Sequence, residues 1–185
     1  MDEPAPLILT AVLDAPAQQR LDALRRAHFP TERNHLDAHV TLFHHLPGEE
    51  EASVARGVAA AARSRSAPDV RLAGVRSLGR GVAVVLAAPD LAALRAELAR
   101  SWVGWLTAQD RGKADLHVTV QNKVSPQAAR VLLCELSAVV VPERTRAVAL
   151  ALWRYRGGPW EAVGSFAFAG EEAGEEAAPG GGSTA

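Results

Sequence analysis

Two copies of one short motif are the residues of this chain with the clearest capacity for chemistry. The sequence reads HVTL at His39–Leu42 and HVTV at His117–Val120, with the two histidines 78 residues apart. Because side chains alternate across a β-strand, the histidine and threonine of each copy share one face and the two apolar residues share the other. The apolar face can pack against helices while the polar face is open to a cleft. The pattern therefore predicts a pocket lined by two imidazoles and two hydroxyls.

Such a pocket suits in-line substitution at phosphorus. One neutral imidazole can take a proton from the attacking hydroxyl or water while the opposite imidazolium gives one to the leaving oxygen. Histidine has an ordinary pKa that allows both forms near neutrality, and the pair predicts a bell-shaped pH profile. Each threonine can donate to a non-bridging phosphate oxygen. We expect His39, Thr41, His117 and Thr119 to be catalytic, in a scheme that needs no metal or other cofactor.

The elements that must position these residues recur in the order strand–helix–strand–helix–strand, once in each half of the chain. Proline, glycine and capping residues separate the apolar runs and mark the boundaries. We expect residues 1–170 to form one domain of two pseudo-equivalent halves and residues 171–185 to be a disordered acidic, glycine-rich tail. Strands are predicted at Leu7–Leu13, Ala38–Phe43, Val70–Leu78, Val82–Ala88, Asp115–Gln121, Thr145–Tyr155 and Trp160–Phe168, and helices after Asp14 up to Pro30, at Glu49–Arg65, from Pro89 to about Thr107 and from Ser125 to about Val139.

Composition excludes several classes of protein. The chain has 185 residues and a net charge of −1, and without residues 171–185 it has 20 basic against 17 acidic side chains. That balance argues against a general duplex-DNA coat but allows a small anionic site. A single cysteine excludes an internal disulfide framework. The longest apolar runs are far shorter than the roughly 20 residues of a membrane helix. With no secretory signal in view, we expect a cytoplasmic monomer without membrane contact.

Paired His-x-Thr-x motifs on corresponding strands resemble those of the two-histidine (2H) phosphoesterases. The longer strings HVTLFHHLPG at His39–Gly48 and LHVTVQNKVSP at Leu116–Pro126 are similar to the bacterial 2′-5′ RNA ligase-like branch. The resemblance covers about Leu7 to Phe168. It implies a bilobal α+β fold with mainly antiparallel sheets around a central cleft. It also implies metal-independent action on 2′,3′-cyclic phosphates or 2′-5′ linkages, with RNA ends or small cyclic nucleotides as partners.

Three residues are candidates for binding the substrate. Related ligases often carry an arginine shortly after the second motif, whereas this chain has Gln121-Asn122-Lys123. Lys123 shares the face of His117 if the strand persists that far, and it would supply phosphate charge as a point charge. Strand alternation puts Phe43 on the same face as His39 and Thr41, so it could stack on a base. Packing in the core is the alternative. Tyr155 belongs to an aromatic and basic cluster, Trp153–Arg156, which could border the pocket or be divided between core and solvent.

Other readings of the same residues stay open. Strand alternation puts His45, but not His44, on the outward face with His39. Both could instead be histidines in a turn at the end of the strand. His35 and His39 have a spacing that can hold zinc on a helix, but no Glu or Cys completes a set. A module that binds nucleotides or RNA ends without turnover is the alternative to an enzyme, and binding alone does not need two proton-transfer groups.

Overall fold

The computed structural model describes residues 4–171, and the elements follow the predicted order. All strand pairs named below are antiparallel. The strands are β1 Leu7–Leu13, β2 Val40–Leu46, β3 Asp69–Ser77, β4 Val82–Ala87, β5 His117–Gln121, β6 Glu143–Arg154 and β7 Glu161–Ala167; the helices are α1 Ala15–His28, α2 Glu51–Arg63, α3 Pro89–Ser101 and α4 Pro126–Val139.

One curled sheet contains all seven strands, in the order β2-β1-β6-β3-β4-β5, with β7 also paired to β6. The 12-residue strand β6 joins the two halves, because Glu143–Arg146 pairs with β3 while Ala147–Arg154 pairs with β1. The strands β2 and β5 lie at opposite ends of this order, yet they contact each other. The sheet therefore curls until its two ends meet. The expected α+β fold with antiparallel strands around a cleft is confirmed.

Local sequence explains where the helices begin and end. The Asp14 side chain accepts a hydrogen bond from the backbone N–H of Ala17 at 3.1 Å, and Pro16 fits the first turn. The Ser125 hydroxyl caps α4 in the same way through Ala128 N–H, also at 3.1 Å. Helix α1 ends before Pro30, which cannot continue a helical hydrogen-bond ladder. Within residues 4–171, every helix is too short or too polar to span a bilayer.

Several predicted boundaries differ by a few residues, two of them with consequences for the site, and the tail is only partly described. Helix α3 ends at Ser101 rather than near Thr107, because Trp102 leaves helical geometry (φ −111°, ψ 20°) and packs edge-on against Phe43. Strand β2 begins at Val40, so His39 immediately precedes it. Of the predicted tail, Glu171 forms an ion pair with Arg146 at 2.7 Å, and residues 172–185 lie outside the described part of the chain.

Candidate active site

The structure brings the four motif residues together in one cavity. His39 and Thr41 from one half, and His117 and Thr119 from the other, line a space of about 180 Å³. The alternate residues of the motifs are buried in the core: Val40, Leu42, Val118 and Val120. Since liquid water occupies about 30 Å³ per molecule, the cavity has room for about six waters, which is the scale of a phosphoryl group with an attacking water.

Both imidazoles are oriented by the same backbone contact. Nδ1 of His39 lies 2.8 Å from the carbonyl oxygen of Asp37, and Nδ1 of His117 lies 2.7 Å from that of Asp115. A carbonyl oxygen can only accept, so Nδ1 of His39 carries a hydrogen and donates it. Nδ1 of His117 also lies 3.2 Å from Arg76 Nη2, which can only donate, but the shorter contact to the Asp115 carbonyl assigns it the same tautomer. Each neutral ring therefore keeps its lone pair on Nε2. The repeated string Asp-x-His-Val-Thr was the sequence signal for this shared arrangement.

The protonation equilibrium of His39 is strongly shifted. Its pKa is lowered from 6.5 to about 4. Burial is the largest cause, the hydrogen bond to Asp37 opposes it, and the positive charges of Arg25, His117 and His44 add smaller decreases. The electrostatic influence of His117 on His39 reflects how closely the two halves approach at the site. Near neutral pH, His39 is a neutral imidazole and can accept a proton.

Two buried arginines hold the motif strands in place from opposite halves of the chain. Arg25 on α1 donates to the carbonyl oxygen of Thr119 on β5 at 2.7 Å. Arg95 on α3 donates to the carbonyl oxygen of Leu42 on β2 at 3.1 Å. The two arginines are 5% and 7% exposed. Each half thus fixes the motif strand of the other through a buried, charge-assisted hydrogen bond, which couples the positions of the two motifs.

A third histidine, His44, also lines the cavity, whereas strand alternation had put His45 rather than His44 on the outward face. Nδ1 of His44 lies 3.1 Å from a carboxylate oxygen of Asp110, whose side chain is 1% exposed. Asp110 also accepts backbone N–H bonds from His44 and His45 at 2.9–3.0 Å. Burial raises the pKa of Asp110, but these hydrogen bonds outweigh it and hold the pKa below its ordinary value.

Ile8 and Trp160 complete the lining of the cavity. The Trp160 ring lies 4.7 Å from the His39 ring, centroid to centroid, and 6.2 Å from the ring of Trp153. The indole N–H of Trp153 donates to the Thr10 hydroxyl at 2.9 Å. The sequence analysis predicted only that Trp160 begins the last strand. The two motifs carry no information about the turn that brings Trp160 beside His39.

The proposed substrate contact of Phe43 was wrong, because a β-bulge reverses the side-chain alternation. Thr10 pairs with Thr41 but Leu9 pairs with Phe43, so one step along β1 matches two steps along β2. Phe43 is therefore 0% exposed, and the Arg95 guanidinium lies over its ring at 4.8 Å. The same bulge brings His44, rather than His45, to the cavity.

Lys123 and Tyr155 also lie away from this cavity. Strand β5 ends at Gln121, and Lys123 follows in a turn with φ 59°, so the alternation does not extend to its exposed side chain. Strand β6 likewise ends at Arg154. Tyr155 is 42% exposed and borders a separate groove with His45 and Trp105. Among residues 4–171, no group of three or more His, Cys, Asp or Glu side chains has an arrangement that could hold a metal ion.

A comparison with known protein families shows the family to which the chain belongs. The family model described as the 2′-5′ RNA ligase superfamily matches residues 13–159. The chain therefore belongs to the 2′-5′ RNA ligase superfamily, which confirms the resemblance carried by the two motifs. No curated protein matches the sequence.

Solved structures share the fold at low sequence identity. TT0787 of Thermus thermophilus is 16% identical with a TM-score of 0.56, and the match covers 90% of this chain and 100% of that protein. E. coli LigT is 18% identical in its complex with NADP⁺ (TM-score 0.56, 91% of this chain and 99% of LigT) and in its complex with 3′-AMP (TM-score 0.57, 90% and 99%).

Proposed function

We propose that this protein is a metal-independent phosphoesterase that opens 2′,3′-cyclic phosphates at RNA or nucleotide ends, with His39 and His117 as its acid–base pair. The observation that carries the proposal is the convergence of two imidazoles, each held by a backbone carbonyl through Nδ1, on one small cavity with a hydroxyl beside each. Binding alone would not require this duplicated orientation of proton-transfer groups.

The reaction follows from the neutral state of His39 and from the place of His117 in the same cavity. Neutral His39 takes a proton at Nε2 from water as the water oxygen bonds to phosphorus. The bond from phosphorus to the 3′-oxygen breaks, and His117, protonated at Nε2, gives its proton to that oxygen. The product is a 2′-phosphate with a free 3′-hydroxyl. General acid–base catalysis of this kind contributes about 10²–10⁴-fold in rate. With a 5′-hydroxyl in place of water, the same sequence forms a 2′-5′ linkage, and its reverse opens such a linkage to the 2′,3′-cyclic phosphate, so a 2′-5′ linkage is a second substrate of the same site.

Charge on the phosphoryl oxygens is met by Thr41, Thr119 and His44. The two hydroxyls donate to non-bridging oxygens, where negative charge concentrates in the transition state. His44, anchored through Nδ1 on the Asp110 carboxylate, presents Nε2 to the cavity and adds positive charge when protonated. This arrangement supplies the charge that Lys123 was expected to provide. The LigT structures named for 3′-AMP and NADP⁺ support a nucleotide as the ligand of this fold.

The test is turnover of the four nucleoside 2′,3′-cyclic monophosphates and of cyclic-phosphate-ended RNA in the presence of EDTA, followed by ³¹P NMR. We expect conversion to 2′-phosphates, reduced at least about 100-fold in His39→Ala and in His117→Ala. His45→Ala is the matched control and keeps its activity, since His45 lies in the other groove.

Two results would contradict the proposal. Loss of all activity in EDTA, with recovery on adding Zn²⁺, would assign the chemistry to a metal. Nucleotide binding that survives in the wild type without any turnover of these substrates would assign the cavity to a binding module.

A further inference from the structure

A second cavity adjoins the histidine site and has a different character. It has a volume of about 220 Å³ and shares His39 and Trp160 with the first cavity as lining residues. Its lining combines the indole of Trp153 and apolar residues with two polar side chains from α1, Gln18 and Asp22, and with Thr10 and Asp37. Aromatic walls with a few polar groups at one edge are typical of sites for planar heterocycles.

The polar edge of this cavity is built from acceptors. Asp22 Oδ1 accepts from the backbone N–H of Ala38 at 2.7 Å and from Gln18 Nε2 at 3.0 Å. Gln18 Nε2 also donates to the carbonyl oxygen of Ala38 at 2.7 Å. These bonds use the Gln18 donors and one Asp22 oxygen. Within residues 4–171, Asp22 Oδ2 and Gln18 Oε1 receive no hydrogen bond, so the remaining capacity at this edge is for accepting.

We infer that this cavity is a nucleobase subsite that selects bases carrying N–H donors on their Watson–Crick edge, guanine above all. The inference rests on the proposed function, because the base belongs to the nucleotide whose phosphoryl group lies between His39 and His117. Trp160 and Trp153 supply the stacking surface. Guanine presents two neighbouring donors, N1–H and N2–H, to the acceptor edge, adenine and cytosine present an exocyclic amine, and uracil presents a single N–H between two carbonyl oxygens.

The number of hydrogen bonds that each base can donate to this edge sets the expected difference in affinity between bases. A base that leaves a carboxylate oxygen unpaired forfeits a hydrogen bond to a charged group, which corresponds to about tenfold or more in affinity. Stacking contributes to every base alike, since each has a π-face, and its loss costs about tenfold. Asp22 therefore governs which base is preferred, whereas Trp160 governs how tightly any base binds.

The experiment is calorimetric titration of the full-length protein with the nucleoside 2′-monophosphates of guanine, adenine, cytosine and uracil. The titrations are run at pH 8, because burial raises the pKa of Asp22 above its ordinary 3.8. We expect guanosine 2′-monophosphate to bind at least about tenfold more tightly than the uridine compound, with adenosine and cytidine between them.

Asp22→Asn is the sharpest variant. Its oxygen can still accept from Ala38 and Gln18, while its amide nitrogen replaces an acceptor with a donor at the cavity edge. We expect the preference for guanine over uracil to fall below about threefold. Asp69→Asn, a carboxylate change on the exposed start of β3, is the control and keeps the preference.

Trp160→Leu separates stacking from selection. It should weaken the binding of all four nucleotides about tenfold without changing their order of affinity. Trp105→Leu, in the separate groove, should change neither the affinities nor their order. Equal affinities for the four bases, or a preference that persists in Asp22→Asn, would overturn the subsite. Absence of binding by every 2′-monophosphate in a protein that turns over cyclic nucleotides overturns the subsite alone, while absence of both binding and turnover overturns the proposed function with it.

Discussion

Stability below neutral pH should depend on one imidazole, His39. Its pKa is about 4 in the folded protein against 6.5 as the ordinary value. Between these two values the unfolded chain binds a proton at this residue and the folded chain does not. Folding stability is therefore at its full value above pH 6.5, decreases as the pH falls, and has lost the whole contribution once the pH is below 4.

The size of this loss follows from the width of the interval. Each pKa unit corresponds to about 1.4 kcal/mol, so the free energy of unfolding loses at most about 3 kcal/mol between pH 7 and pH 4 through His39. The variant His39→Gln keeps an amide that can donate to the Asp37 carbonyl but does not titrate. We expect its stability to decrease less over the same interval, by up to that amount.

The assay is urea denaturation of the wild type and the variant at several pH values, with His45→Gln as a control at an exposed histidine. Histidine ring NMR gives the titration of His39 directly, with an expected midpoint near pH 4. Because His39 must be neutral to accept a proton, the acid limb of kcat/KM should fall in the same region. A His39 midpoint near 6.5, or identical pH dependence in wild type and His39→Gln, would refute the argument.

Three further substitutions test the groups around the pocket. Asp110→Asn should destabilise the fold by about 1–3 kcal/mol in urea denaturation, because one amide cannot accept every hydrogen bond that the buried carboxylate receives. Arg25→Met should cost about 3 kcal/mol, since it removes donors from three acceptors, including the Thr119 carbonyl. Thr41→Val and Thr119→Val should each lower kcat about 100-fold in steady-state assays with no more than a small change in stability.

The contrary outcomes are equally specific. An Asp110→Asn protein as stable as the wild type would mean that the carboxylate contacts carry no net energy. An Arg25→Met protein within about 0.5 kcal/mol of the wild type would mean that water replaces the guanidinium without cost. Unchanged kcat in both threonine variants, measured at saturating substrate, would remove the hydroxyls from the transition state.

Much of the site was accessible from the sequence because β-structure has a fixed period of two. Alternation within each His-Val-Thr motif was enough to separate the polar face from the core, and the duplication of the motif indicated two facing copies. The starts of α1 and α4 could also be predicted, since the Asp14 and Ser125 side chains accept hydrogen bonds from backbone N–H groups only three residues away. Such features depend on interactions that are local in the chain.

The tertiary structure decided what periodicity could not. The β-bulge in β2 buries Phe43 and brings His44 to the cavity, and a second register shift, between Val82 and Ala83, leaves Gln121 buried rather than beside His117. A bulge depends on the pairing of two strands distant in sequence, so a single motif carries no sign of it. Trp160 reaches His39 for a similar reason, since its place depends on the turn between β6 and β7. The sequence determined the chemistry available, and strand pairing determined which side chains share the pocket.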